Sequence, residues 1–257
     1  MALVTRRKGP RLNANHQRFP HARLWDRASG WVPFHIAAVI VGGLALDAGF
    51  GWPGQYAAVV WTLCVWAWLY QGGGVQERRV LLLCTVISAS GEAILSLVWG
   101  VYHYQFYNLP LFVPPGHALL MTLGLIASKK MLRYQAGSAF QSIFPWAAAI
   151  YAGFAWWLHF DQFGALLFCV FAICMIFNRA RTLYATMFVF ALAMEIYGTA
   201  LGNWTWQSNT PWLNISAANP PFSAGALYCL LDLLVLGALK LLARNSGIVD
   251  SPVSSAK

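Results

Sequence analysis

Apolar runs long enough to cross a bilayer follow one another along almost the whole chain. A spanning helix needs about 20 largely apolar residues. Runs of that kind cover 32–50, 54–71, 80–101, 116–128 (extending toward 133), 143–160, 163–178, 183–203 and 222–243. The spacing predicts eight spans, with seven as the alternative because the fourth and sixth runs are short. Charged residues make up 10% of the chain and hydrophobic ones 59%, against about 25% charged in a soluble domain. Such a chain cannot cover itself with polar surface. The expected fold class is an all-α polytopic transmembrane bundle, with the lipid bilayer as its solvent.

The basic residues supply an independent check on the count. Residues 1–30 form a polar arm carrying Arg6, Arg7, Lys8, Arg11, Arg18, Arg23 and Arg27. With that arm inside and eight helices alternating, the inner loops hold Arg78, Arg79, Lys129, Lys130, Arg133, Arg179 and Arg181. The inner C-terminal tail, 244–257, carries Arg244 and Lys257, with Lys240 just before it. All 17 basic residues then fall on one side, as the positive-inside bias requires. The expected location is a bacterial inner membrane with both termini cytoplasmic. The 17 to 8 excess of basic over acidic residues points to topology and anionic lipid. No nucleic-acid-binding module accompanies it.

Two stretches of the transmembrane domain, 31–243, resemble each other. From Gly100, aromatic residues follow at Tyr102 and Tyr104; from Gly202, at Trp204 and Trp206. A proline comes next in each (Pro110, Pro211), then a double proline (Pro114–Pro115, Pro220–Pro221) expected to open a helix, where the missing N–H costs nothing. Glu92 precedes its glycine by one residue more than Glu195 precedes its own. Four helices separate the copies, which predicts a tandem 4+4 repeat with parallel halves, about 31–133 and 142–243.

Three acids interrupt the apolar runs. Glu92 lies about 18 Å along its helix from Val80, Glu195 about 21 Å from Arg181, and Asp232 about 16 Å from Pro221. In a hydrocarbon core about 30 Å thick these positions are far from either surface, where an ionised acid costs at least about 2.5–3.5 kcal/mol. Helical spacing puts Thr85, Ser88, Glu92 and Ser96 on one stripe. It groups Glu195, Thr199 and Asn203 on a second stripe, with Gly198 and Gly202 allowing close approach, and Gly225, Tyr228 and Asp232 on a third. The three stripes are expected to meet in one central cavity opening toward the aromatic loops. Glu92, Glu195 and Asp232 are the candidate catalytic groups. Tyr102, Tyr104, His117, Asn203, Trp204, Trp206 and Tyr228 are the candidate substrate contacts.

His117, in the segment PPGH, stands next to the expected cavity mouth. His103 and His159 read as interfacial, and His35 lies near the inner edge of the first span. Cys64, Cys84, Cys169, Cys174 and Cys229 all fall in apolar runs and read as small buried hydrophobes. No ligand spacing for a metal is present, and no cofactor is expected. Lys240 stands too near the inner end of the last span to carry a Schiff-base chromophore, and reads as a snorkelling lysine.

Buried acids among aromatic side chains suit one chemistry well. A protonated carboxyl can donate to a carbon–carbon double bond; aromatic faces can stabilise the cation; a second carboxylate can remove a proton or activate water. The expected substrate is a hydrophobic small molecule of isoprenoid or polyene type. The pattern Glu92…Gly100-x-Tyr102-x-Tyr104, followed by Pro110-Leu111 and Val113-Pro114, resembles part of the integral-membrane carotenoid hydratases of the bisanhydrobacterioruberin hydratase type. That resemblance implies a polytopic protein adding water across a terminal polyene double bond, with the family's acid carried over to Glu92. Residues 219–221 and the last helix depart from the pattern. The G-N-W-x-W…N-P-P segment is similar to one in uncharacterised bacterial membrane proteins. Two other functions suit the same residues: a proton-coupled transporter, since such carriers use midplane acids, and a non-catalytic membrane assembly partner docking through the aromatic loops.

Overall fold

The computed structural model describes residues 30–133, 136–177 and 180–245. The basic arm up to residue 29, Arg179, and the C-terminal tail from 246, including Lys257, lie outside the described residues. What is described is all-α apart from one small sheet. Helix α1 is Trp31–Gly72, α2 Val75–Glu92, α3 Val113–Arg133, α4 Ala136–Trp157, α5 Gln162–Phe177, α6 Arg181–Leu201 and α7 Gly225–Asn245. Among the described residues, four helical stretches are long and apolar enough to cross a membrane: Trp31–Gly72, Val75–Trp99, Arg181–Leu201 and Gly225–Arg244. Their outward faces carry Phe34, Val86, Ile94, Leu97, Ile196 and Leu234 in the open. Water would not tolerate so continuous an apolar surface on a monomer.

The short loop expected at 51–54 is a single break inside α1. Gly51 takes φ 60°, ψ −139°, a conformation open to glycine and strained for other residues. Pro53 then sits in the first turn of the second arm, where it displaces no helical hydrogen bond. The arms 31–50 and 52–72 fold back on each other: Gln55 donates to Asp47 at 2.9 Å, and a Cβ on Gly42 would lie 2.6 Å from the Trp61 ring.

Helices α2, α3, α6 and α7 form a closed ring, each packed on the next and α7 packed back on α2. The α1 hairpin lies against α3 and α6, while α4 and α5 lie against α6 and α7. One end of the ring is closed by a structure that apolar patterning did not foretell. Strand β1 (Tyr102–Tyr104) pairs antiparallel with β2 (Trp204–Trp206), in the register Tyr102↔Trp206, His103↔Thr205, Tyr104↔Trp204. The two aromatic loops, 102–115 and 204–221, therefore bind each other.

Both strands are launched by a left-handed glycine, Gly100 at φ 73° and Gly202 at φ 81°. At Gly202 the Gly202 and Asn203 N–H groups return to the Thr199 and Gly198 carbonyls, a Schellman end. At Gly100 the preceding segment, Ala93–Trp99, is π-helical. A π turn holds one more residue than an α turn. It absorbs the extra residue between Glu92 and Gly100, so both glutamates face the strand that follows them. The double prolines differ. Pro114 and Pro115 lie in the first turn of α3, whereas Pro220 and Pro221 precede α7, which begins at Gly225 rather than 222.

Candidate functional site

Each glutamate lies one helix before the strand that caps it. Glu92 is at the end of α2, and Tyr102 and Tyr104 donate their phenol O–H groups to its Oε2 at 2.5 Å each. Glu195 is on α6, and Trp204 and Trp206 donate their indole N–H groups to its Oε2 at 2.8 and 3.1 Å. Alternate residues of a strand share a face, so the two rings of each strand reach the same carboxyl. Gly198 makes this approach possible: a Cβ there would stand 2.1 Å from the Trp204 ring. On the hairpin, burial first and the neighbouring Glu92 second push the Tyr102 and Tyr104 phenols above their ordinary value. Both remain O–H donors at neutral pH.

The second oxygen of each carboxyl meets a different kind of partner. Glu92 Oε1 lies 3.1 Å from His117 Nε2. His117 Nδ1 is 3.0 Å from the Val113 carbonyl, which can only accept, so Nδ1 carries a hydrogen. A proton between Nε2 and Oε1 can then belong to either partner. Glu195 Oε1 accepts from the Tyr228 hydroxyl at 3.2 Å. Each Oε2 already receives two hydrogen bonds, so each carboxyl has one oxygen, Oε1, left for proton exchange.

Two cavities flank this group, and both are lined by Glu92, Tyr102, His117, Glu195 and Tyr228. The inner one, about 50 Å³, is completed by Val39, Gly43, Leu44 and Thr62 of α1, by Val113, Gly116 and Leu119 of α3, and by Met194. The outer one, about 220 Å³, lies between α2 and α7 and is completed by Ile87, Gly91, Ile94 and Leu95 on one side and Leu227, Leu230, Leu231 and Leu234 on the other. No lysine or arginine lines either cavity among the described residues. No group of three His, Cys, Asp or Glu side chains among them is placed to hold a metal.

Not every candidate residue arrives here. Asp232 is fully buried but lines neither cavity, and its two oxygens have no hydrogen-bond partner among the described residues. Asn203 also lies outside the cavities; its amide donates to Asp47 at 2.8 Å and to the Leu44 carbonyl at 3.0 Å. Ser96 and Thr199 turn back to the Glu92 and Glu195 carbonyls of their own helices. The aromatic loops meet over this end of the cavity, with the rings of Tyr102, Tyr104, Trp204 and Trp206 buried. His103 stacks on Tyr107, His159 pairs with Gln162, and His35 packs against Trp68. Cys84, Cys174 and Cys229 are buried, whereas Cys64 and Cys169 are exposed.

Two structural acids escaped the sequence reading. Asp47 joins Gln55 and Asn203, and Gln55 accepts from Asn108 at 2.7 Å. This network ties the tip of the α1 hairpin to the base of β2. Asp161, fully buried, accepts backbone N–H bonds from Gly164, Ala218 and Phe222, anchoring the long segment before α7. Asp47 was visible as an acid near the end of an apolar run. Asp161 stands just before α5 and its bond to the Gly164 N–H is an ordinary helix cap, but its other two partners, Ala218 and Phe222, lie more than fifty residues away and nothing local marks them.

Comparison with protein-family models, with curated proteins and with solved structures gives no match for this chain.

Proposed function

We propose that this protein is an integral-membrane enzyme that protonates a carbon–carbon double bond of a hydrophobic isoprenoid or polyene-type substrate. The observation that carries the reading is the shared design of the two carboxyls: Oε2 held by two aromatic donors, Oε1 against an exchangeable partner, His117 or Tyr228. In the proposed reaction the proton shared by Glu92 and His117 moves to one alkene carbon. The π electrons form the new C–H bond and leave a carbocation on the other carbon. Faces of Tyr228, Tyr102 and Trp204 stabilise that cation, and Glu195 provides the opposing charge. Water attack followed by loss of its proton to the carboxylate gives hydration. Loss of a neighbouring C–H proton gives isomerisation, and attack by a second double bond gives cyclisation. The inner cavity, about 50 Å³, has room for about three to five waters at roughly 10–15 Å³ each, which supports hydration as the outcome in keeping with the resemblance around Glu92.

The same proposal includes eight crossings in two parallel halves, with both termini at the cytoplasmic face of a bacterial inner membrane. The break at Gly51 supports counting α1 as two spans. The strand register supports the repeat: Tyr102 pairs with Trp206 and Tyr104 with Trp204, so each position meets the counterpart of its neighbour, as a two-fold axis demands. The flanking backbone bonds obey the same rule, Gln105 N–H to Asn203 and Gln207 N–H to Val101.

Mass spectrometry of lipid extracts from wild type, a deletion strain and Glu92→Gln tests the reaction. The expected result is a precursor that accumulates in both altered strains, differing from the lost product by one water for hydration. Identical extracts with the gene expressed would remove this proposal. A second reading, a proton-coupled carrier, draws on the two cavities that flank the exchangeable pairs. It predicts proton-dependent flux in proteoliposomes, abolished by Glu92→Gln. The assembly-partner reading predicts instead a co-purifying protein and tolerance of carboxylate-to-amide changes.

A further inference from the structure

The ring of α2, α3, α6 and α7 has two corresponding seams, and they are finished differently. The α3/α6 seam is covered by the α1 hairpin, and no residue lining the inner cavity behind it is exposed. The α2/α7 seam holds the outer cavity, whose wall runs from buried Glu92 and Tyr228 out to Ile94 and Leu234, which are 56% and 50% exposed on the apolar surface.

From this asymmetry we infer that the α2/α7 seam is a lateral portal, through which a linear, uncharged hydrocarbon chain enters from the bilayer and lays its end between Glu92 and Glu195. The inference rests on the membrane reading of the chain and gives the proposed reaction its route and its ligand class. Three features select the ligand. The outer walls are aliphatic from Ile94 to Leu234, so the body of the ligand is apolar. Among the described residues the only basic side chain lining either cavity is His117, already engaged by Glu92, so a phosphate or carboxylate head meets no free counter-charge from them, and two carboxyls would repel it. The smaller inner cavity, about 50 Å³ against about 220 Å³ outside, admits the chain end or water but not a bulky ring system. A transmembrane bundle can accept such a ligand without exposing backbone, because both seam helices keep their own hydrogen bonds.

Gly91 offers the means to test this. It lines the outer cavity, and a Cβ added there meets nothing within 4 Å, so a side chain can start from this position and Gly91→Phe places a ring in the track. The full-length protein in phosphatidylcholine nanodiscs is irradiated with a linear polyprenyl alcohol carrying a diazirine at its far end, and the labelled peptides are mapped. Wild type should be labelled at Glu92, Glu195 or Tyr228. In Gly91→Phe that labelling should fall about tenfold, equivalent to about 1.4 kcal/mol, while labelling of the lipid-facing residues Val86 and Ile150 is unchanged. Gly91→Ala, which leaves the track open, should label like wild type and controls for folding. Absence of label at the carboxyls in wild type, or label there that survives Gly91→Phe, overturns the portal. An anionic polyprenyl phosphate that labels the carboxyls equally well overturns the ligand class. Because labelling needs no turnover, failure here is distinct from failure of the acid-catalysis reading, which the lipid extracts of Glu92→Gln decide.

Discussion

His117 and Tyr228 stack face to face, their ring centroids 4.7 Å apart and their planes 3° from parallel. Each ring serves a different carboxyl: His117 meets Glu92 and Tyr228 donates to Glu195. The stack therefore holds the two exchangeable oxygens of the site in a fixed relation, with one ring from α3 and one from α7. His117→Phe and Tyr228→Phe keep an aromatic ring in place while removing the polar contact. Under the proposed reaction, each should lower product formation by about a hundredfold or more, the usual contribution of a positioned acid or base. The ratio of product to precursor in lipid extracts measures it, and a ratio unchanged in both variants would exclude proton exchange through these rings.

The indole donors to Glu195 have a stability signature of their own. Trp206→Phe leaves a buried carboxylate with one donor fewer, at a cost of about 1–3 kcal/mol. In Glu195→Leu that donor has no carboxylate to serve, so the two changes should be less than additive by about 0.5 kcal/mol or more. Thermal unfolding of the purified single and double variants in detergent checks the coupling.

Glycine positions should rank by geometry. Gly91→Ala is expected to be nearly silent. Gly100→Ala and Gly202→Ala place a side chain at positive φ in open space, at about 1–2 kcal/mol each. Gly198→Ala should cost more than either, because its Cβ displaces the Trp204 ring from Glu195. The order of melting temperatures tests the assignment, and a Gly198→Ala protein as stable as Gly91→Ala would contradict it.

Asp232 is expected to be dispensable for the chemistry. Its oxygens are buried without hydrogen-bond partners among the described residues, and an apolar residue of similar size removes a desolvation cost of about 1–3 kcal/mol. Asp232→Leu should therefore be as stable as wild type or more so, with its lipid products unchanged. Loss of product in a well-folded Asp232→Leu protein would return this acid to the site.

Asp161 should behave in the opposite way. Asp161→Ala leaves the N–H groups of Gly164, Ala218 and Phe222 without their acceptor, at about 3 kcal/mol or more in sum. Limited proteolysis should then cut within 204–221, a segment expected to resist in wild type.

Much was legible in the residues themselves. Apolar runs of bilayer length, acids placed deep within them, and paired glycine–aromatic segments follow from local composition and spacing, so the helical class and the grouping of Glu92 and Glu195 with their aromatic followers could be read directly. Only tertiary structure decided how those pieces meet. The pairing of β1 with β2 joins residues about a hundred positions apart, a contact that no local periodicity encodes. Asn203 shares its helical stripe with Glu195 and Asp232 its own with Tyr228, yet a stripe fixes a direction and not what stands opposite. Packing left Asp232 without a hydrogen-bond partner among the described residues and gave Asn203 to Asp47. The extra residue before Gly100, which breaks the register on paper, is absorbed by a π-helical turn, because a helix can widen by one residue at modest cost when the carboxyl and ring contacts on either side hold it.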